Sequence, residues 1–200
     1  MARKREKSYH HGDLPRALLR EAVRVIDREG VDALTLRAVG QRLGVSRTAL
    51  YRHFADKSSL LASVAAEGFR MLRLTTSEAW DTHGGGQKGL EAMGAAYVRF
   101  AVAHPAHYRV MFGGFIGHGA RDSPLAREGG AAFQVLVNAI VALQKTGAIR
   151  RDQPQELAQY IWATVHGIAM LAIDGHLRQP VDTVILFANQ RLRTGIGIQD

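Results

Sequence analysis

The sequence contains no cysteine, so neither a disulfide framework nor a thiolate metal site holds this chain together. That absence fits a reducing cytoplasm. No run of 18 apolar residues occurs, and the basic, polar N-terminus is not followed by an apolar core. A membrane span and a secretory signal are therefore not expected. Also missing are a nucleophile elbow, a phosphate-cradling glycine loop and a zinc-binding helix motif. Gly84-Gly85-Gly86 follows no strand and reads only as a loop. His10-His11 and His104/His107 lack a third ligand nearby, and Pro105 interrupts the second pair. The expectation is a soluble cytoplasmic protein that is not an enzyme, with no cofactor and no metal.

Acidic residues are the minority charge, 18 against 26 Lys and Arg, for a net of +8. Residues 1–57 carry 13 basic and 7 acidic side chains, a net of +6, whereas residues 58–200 carry 13 and 11, a net of +2. Positive charge gathered on one end of a chain is the electrostatic footprint of a nucleic-acid-binding module. The apolar share, 46%, is ample for a sizeable core.

Three short segments follow one another between residues 35 and 61. Thr35 can cap the first, whose Leu36, Val39, Gly40 and Leu43 share one face. Gly44 gives the backbone freedom to end it, and Val45 is a natural plug. Ser46 can cap a second, very short helix anchored by Leu50 and Phe54, and Asp56 a third. Helix, tight turn with glycine, short helix is the pattern of a helix-turn-helix, whose second helix enters the major groove of DNA. Arg47, Thr48, Tyr51, Arg52 and His53 lie outside the apolar set and can donate hydrogen bonds. Arginine reads a guanine edge with two such bonds, and the others hold phosphates. Lys57, opening the next helix, sits where charge and free N–H groups can grip a phosphate. Thr35, Arg37, Ser46 and Ala49 complete the expected DNA contacts.

The run Thr35…Ala38…Gly44-Val45-Ser46…Leu50-Tyr51-Arg52-His53-Phe54…Lys57…Leu60-Leu61 resembles the DNA-binding domain of the TetR family of transcriptional regulators. Some ten positions fit at fixed spacing over about 27 residues. The resemblance implies an all-α homodimer that binds a palindromic operator in double-stranded DNA. It also implies a repressor that lets go when a small-molecule effector enters the C-terminal domain. A ligand-independent or activating DNA binder is the alternative, and a histidine-based metal protein or enzyme a remote one.

The expected organisation is a DNA-binding domain over residues 1–57 and an effector-binding and dimerisation domain over 58–200. Residues 1–12 read either as a flexible arm reaching DNA phosphates or the minor groove, or as a solvated tail. Leu14, Leu18, Ala22, Val25 and Ile26 form a helical stripe that stops at Gly30. A long helix runs from Asp56 to about Asp81, shared by both ends of the chain. Further helical stripes follow, separated by His104-Pro105, by a glycine-rich loop over Gly113 to Asp122, and by Gly147. Tyr9 to Leu14, His104 to Phe112 and Trp162…His166-Gly167 resemble a TetR subgroup with a Trp-…-His-Gly motif.

Tyr97, Phe100, Tyr108, Met111, Phe112, Phe133, Trp162, His166 and Met170 mix apolar walls with a few polar tips, as small-molecule pockets do. They are the expected effector lining. By resemblance, helices of about 155–175 and 180–193 meet their symmetry mates as a four-helix bundle. Ile161, Val165, Ala169, Ile173, Val184 and Ala188 are the expected twofold contacts.

Overall fold

The computed structural model describes residues 14–115 and 122–196. Among these residues nine helices follow one another and no strand is present. They are α1 (Leu14–Glu29), α2 (Leu36–Leu43), α3 (Arg47–Tyr51), α4 (Lys57–Thr82), α5 (Gly86–Ala103), α6 (Pro105–Phe112), α7 (Pro124–Lys145), α8 (Pro154–Ile173) and α9 (Val181–Gly195). The arm expected over 1–12, the lead-in from Tyr9 to Asp13 and most of the glycine-rich loop lie outside the described residues.

Local chemistry sets the N-terminal boundaries. Thr35 accepts a hydrogen bond from Ala38 N–H and Ser46 one from Ala49 N–H. Asp56 accepts from Ser59 N–H at 2.7 Å while Ser59 Oγ lies 3.2 Å from Asp56 N–H, closing a capping box. Gly44 ends α2 with φ +67°, a left-handed conformation that costs any residue with a Cβ. Gly40 matters for a different reason. A Cβ there would stand 2.9 Å from Leu50 Cδ1, so its absence lets α2 and α3 cross closely. The five residues of α3 are too few for a stable isolated helix. Leu50 and Phe54 hold it by burial, at about 1.5–3 kcal/mol per large apolar side chain.

The apolar stripe of α1 is buried throughout, in one core with Leu36, Val39, Leu50 and Phe54. That core continues up α4 through Leu60, Leu61, Val64 and Ala65, and takes in Ala106 and Val110 of α6. With 26 residues, α4 is about 39 Å long, so its second half reaches a different core. There it joins α5, α7 and α8. Gly68 marks the crossing of α4 and α6, where a Cβ would meet Met111 Sδ at 2.6 Å and His107 Cβ at 3.3 Å. In α7, Ser123 caps Ala126 N–H and Pro124 takes the first position.

Candidate nucleic-acid interface and inner cavity

At the N-terminal end, Arg47, Thr48, Tyr51, Arg52 and His53 are all solvent-exposed, as are Thr35, Arg37 and Ser46. The helical segment is shorter than the pattern implied: α3 closes at Tyr51, Arg52 caps it, and His53 N–H turns back to Leu50 O. Arg47 lies over the Tyr51 ring, 5.4 Å from its centroid, which limits the freedom of both side chains before any partner arrives. Between α2 and α3 runs an open groove lined by Leu36, Arg37, Gly40, Gln41, Val45, Arg47, Leu50 and Tyr51. Gln41, an amide donor and acceptor in that groove, is an addition to the expected set. Thr35 and Ser46 spend their hydroxyl oxygens on caps, and half-buried Ala49 leans on the N-terminal core.

Lys57 has partners within the protein that the sequence did not suggest. Its ammonium donates to Val31 O at 2.8 Å and lies 3.4 Å from Asp32 O, tying α4 to the α1–α2 loop. A contact to a carbonyl 26 positions earlier has no periodicity, and no sequence pattern announces it.

In the C-terminal half, α4, α5, α6, α7 and α8 line a partly open cavity of about 250 Å3. From α4 come Phe69, Leu72 and Thr76, and from α5 Leu90, Met93, Gly94 and Tyr97. Phe112 belongs to α6; Gly129, Ala132, Phe133 and Leu136 line it from α7, and Ile161, Trp162 and Val165 from α8. Of the nine expected lining residues, Tyr97, Phe112, Phe133 and Trp162 are there. Phe100, Tyr108, Met111, His166 and Met170 are not: Phe100 and Tyr108 belong to the neighbouring core, Met111 and Met170 pack against it, and His166 sits against the Phe112 and Trp162 rings. Glycines and alanine leave part of the space, and a position defined by a missing side chain does not stand out in a search for aromatics.

A polar cluster adjoins that wall and shares Tyr97 and Trp162 with it. Trp162 Nε1–H donates to the Tyr97 hydroxyl at 2.9 Å, the Tyr97 and Tyr108 hydroxyls are 2.9 Å apart, and Tyr108 lies 2.7 Å from His166 Nδ1. The His166 ring stacks on Tyr108 with centroids 5.6 Å apart. Burial pushes the Tyr97 hydroxyl up to about 12 and raises Tyr108 further, while it lowers His166. His107, buried on α6 and 3.4 Å from Glu67, is also lowered, chiefly by burial; Glu67 opposes this and His104 adds to it.

Both histidines are held neutral by the fold, so the unfolded chain binds more protons below its own pKa of about 6.5. The stability they contribute is fully present above that pH and is lost as pH falls toward the folded-state values. The urea midpoint is expected to drop between about pH 7.5 and about pH 5.5, and to drop less in the double variant His107→Gln, His166→Gln. Equal losses in both proteins would assign the pH dependence to other groups.

Three of the six expected twofold residues, Ile161, Val165 and Ala169, are buried within the subunit. Ile161 and Val165 line the cavity, and Ala169 is fully buried within the subunit. Ile173, Val184 and Ala188 are half-buried. The large exposed apolar side chains on these helices are Tyr160 and Leu171 of α8 and Leu186 and Phe187 of α9. Because α8 is apolar around most of its circumference, its period cannot tell the inner face from the outer.

A capped helix-turn-helix with a donor-rich face, joined by one long helix to an all-helical domain with an inner cavity, defines a DNA-binding transcriptional regulator. Residues 18–64 match the family described as bacterial regulatory proteins, tetR family, and residues 90–190 match the tetracyclin repressor-like C-terminal domain. The chain belongs to the TetR family, whose members are transcription regulators rather than enzymes. The solved structure of a protein of unknown function from Rhodococcus sp. RHA1 is 34% identical, with a TM-score of 0.85 over 96% of this chain and 99% of that one. An uncharacterised HTH-type transcriptional regulator of Mycobacterium tuberculosis is 25% identical over 92% of this chain and 80% of its own length. The class A tetracycline repressor from transposon 1721 of Escherichia coli is 43% identical over 51 residues, 26% of this chain and 24% of that protein. No described helix is long and apolar enough to cross a membrane.

Proposed function

We propose that this protein is a homodimeric repressor that leaves a palindromic operator when a small uncharged effector occupies the inner cavity. The observation that carries the reading is the continuity of α4. Its Leu60, Leu61 and Val64 belong to the DNA-binding core, and its Phe69, Leu72 and Thr76 to the cavity wall. The shorter α6 makes the same bridge, with Val110 in the first core and Phe112 at the cavity. An occupant that displaces Phe69 or Phe112 therefore shifts elements that also support the reading unit. The coupling such a device supplies is typically ~1–3 kcal/mol.

The test begins with genomic fragments retained by the protein at physiological salt. A shared palindrome, bound with affinity that falls steeply as salt rises, is the expected result. Retention without sequence preference would defeat the reading. Activation in place of repression would appear as raised transcription from the retained promoter.

The second copy is placed on the apolar outer face of α8 and α9. Tyr160, Ala163, Gly167 and Leu171 form a stripe on α8, and exposed Gly167 has open space where a Cβ would be, so another helix can come close. Leu186→Glu with Phe187→Glu is expected to give monomers at micromolar concentration by sedimentation, with the helical content unchanged. A dimer that persists would move the interface elsewhere.

A further inference from the structure

Among the described residues, no charged side chain lines the cavity, and its polar wall groups already have partners within the protein. Thr76 Oγ1 donates to Leu72 O at 2.9 Å, and Trp162 Nε1–H is taken by Tyr97. A charged occupant would give up much of its water there and meet no counter-charge among the described residues, a cost that disfavours it. An apolar cavity of about 150 Å3 holds benzene, so this one suits about ten non-hydrogen atoms.

The cluster that shares Tyr97 with the wall leaves one polar option. With the His166 proton on Nε2, Tyr108 donates to Nδ1 and Tyr97 donates to Tyr108, so every hydroxyl proton is used. With the proton on Nδ1, the direction reverses: His166 donates to Tyr108 and Tyr108 to Tyr97. Tyr97 then accepts from both Tyr108 and Trp162, and its own proton is released for a partner. The two arrangements differ only in tautomer and hydroxyl rotation, and both are neutral.

Taking the inner cavity as the ligand site, we propose that its occupant is an uncharged, mostly apolar molecule of about ten non-hydrogen atoms with a single hydrogen-bond acceptor. Tyr97 receives that acceptor in the arrangement of the Tyr97–Tyr108–His166 chain where Tyr108 donates to it, the direction this hydroxyl pair takes in the structure. Burial keeps the Tyr97 hydroxyl protonated and His166 neutral at physiological pH, as this arrangement needs.

Calorimetry on the full chain with four molecules of one shape tests the class: indane, 1-indanone, indane-1-carboxylate and protonated 1-aminoindane. The first two are expected to bind, 1-indanone about tenfold more tightly, and the two ions at least about 100-fold more weakly. In Tyr97→Phe the ketone should fall to the affinity of indane, which itself stays unchanged. In Gly129→Leu, where the added side chain has ordinary clearance from Phe69 at its Cβ and grows toward the cavity, both should cease to bind while the melting temperature holds.

Tighter binding of either ion than of indane overturns the class, and so does failure of both neutral probes. A ketone preference that survives Tyr97→Phe overturns the role of the chain. Binding that survives Gly129→Leu overturns the location. Operator retention is measured on the same samples. If 1-indanone binds as described and the operator stays bound, the release reading fails and the ligand class stands.

Discussion

Tyr108→Ala is expected to cost about 3–5 kcal/mol of unfolding free energy, the largest loss predicted for a single substitution here. Tyr108 is fully buried. Its ring lies 4.8 Å from Phe112, 5.6 Å from His166 and edge-on to Tyr97 at 5.9 Å between centroids. Truncation would remove most of those contacts and leave a void that the surrounding helices cannot close. It also removes the hydroxyl between Tyr97 and His166, which orphans His166 Nδ1 except for Tyr97 at 3.3 Å. At about 2–4 °C per kcal/mol for a chain of this size, the melting temperature should fall by about 6–20 °C. Tyr108→Phe separates the two contributions, since it keeps the ring and should cost only ~1–3 kcal/mol. Denaturant melts of both proteins check the pair. An alanine variant within about 1 kcal/mol of wild type, the size of one ordinary hydrogen bond, would mean that the core closes without Tyr108.

The second large effect is on DNA, with the fold left intact. Arg47→Ala with Tyr51→Ala is expected to lower operator affinity by about 100-fold or more. A lost bidentate guanine contact costs ~1–3 kcal/mol, and a twofold complex loses it in both half-sites. Both residues are exposed, so the melting temperature should hardly move. Leu50→Ala is the contrast: Leu50 is buried under α3, and its truncation should weaken DNA binding by melting the reading unit. Anisotropy at physiological salt alongside thermal melts distinguishes these routes. If the double variant holds its operator within about twofold of wild type, α3 does not lie in the groove.

The reading unit was legible residue by residue because its determinants are local. Thr35, Ser46 and Asp56 each cap the helix that the sequence assigned them. Gly44 adopts the left-handed conformation that its place in the turn demanded. A cap or a turn joins residues three or four apart, a distance over which sequence order and spatial order agree. Lys57 marks where that agreement ends, since its carbonyl partners are set by how α4 returns to the α1–α2 loop.

The C-terminal half follows a different rule. Its apolar period correctly gave helices, and the aromatic residues did gather, with Tyr97, Phe112, Phe133 and Trp162 around one space. The sequence could not say that Tyr108 and His166 do not line that space, nor that Ile161 and Val165 face into it. Helix α8 offers apolar residues on nearly every side, so its orientation depends on which flanks α5 and α7 have already taken. By itself, then, the sequence determined helix boundaries, caps and the exposed donors of α3, because each depends on neighbours within about one turn. Only the tertiary structure decided the cavity, its polar cluster and the free outer face of α8 and α9, because a void and an uncovered surface are defined by what distant helices leave unfilled.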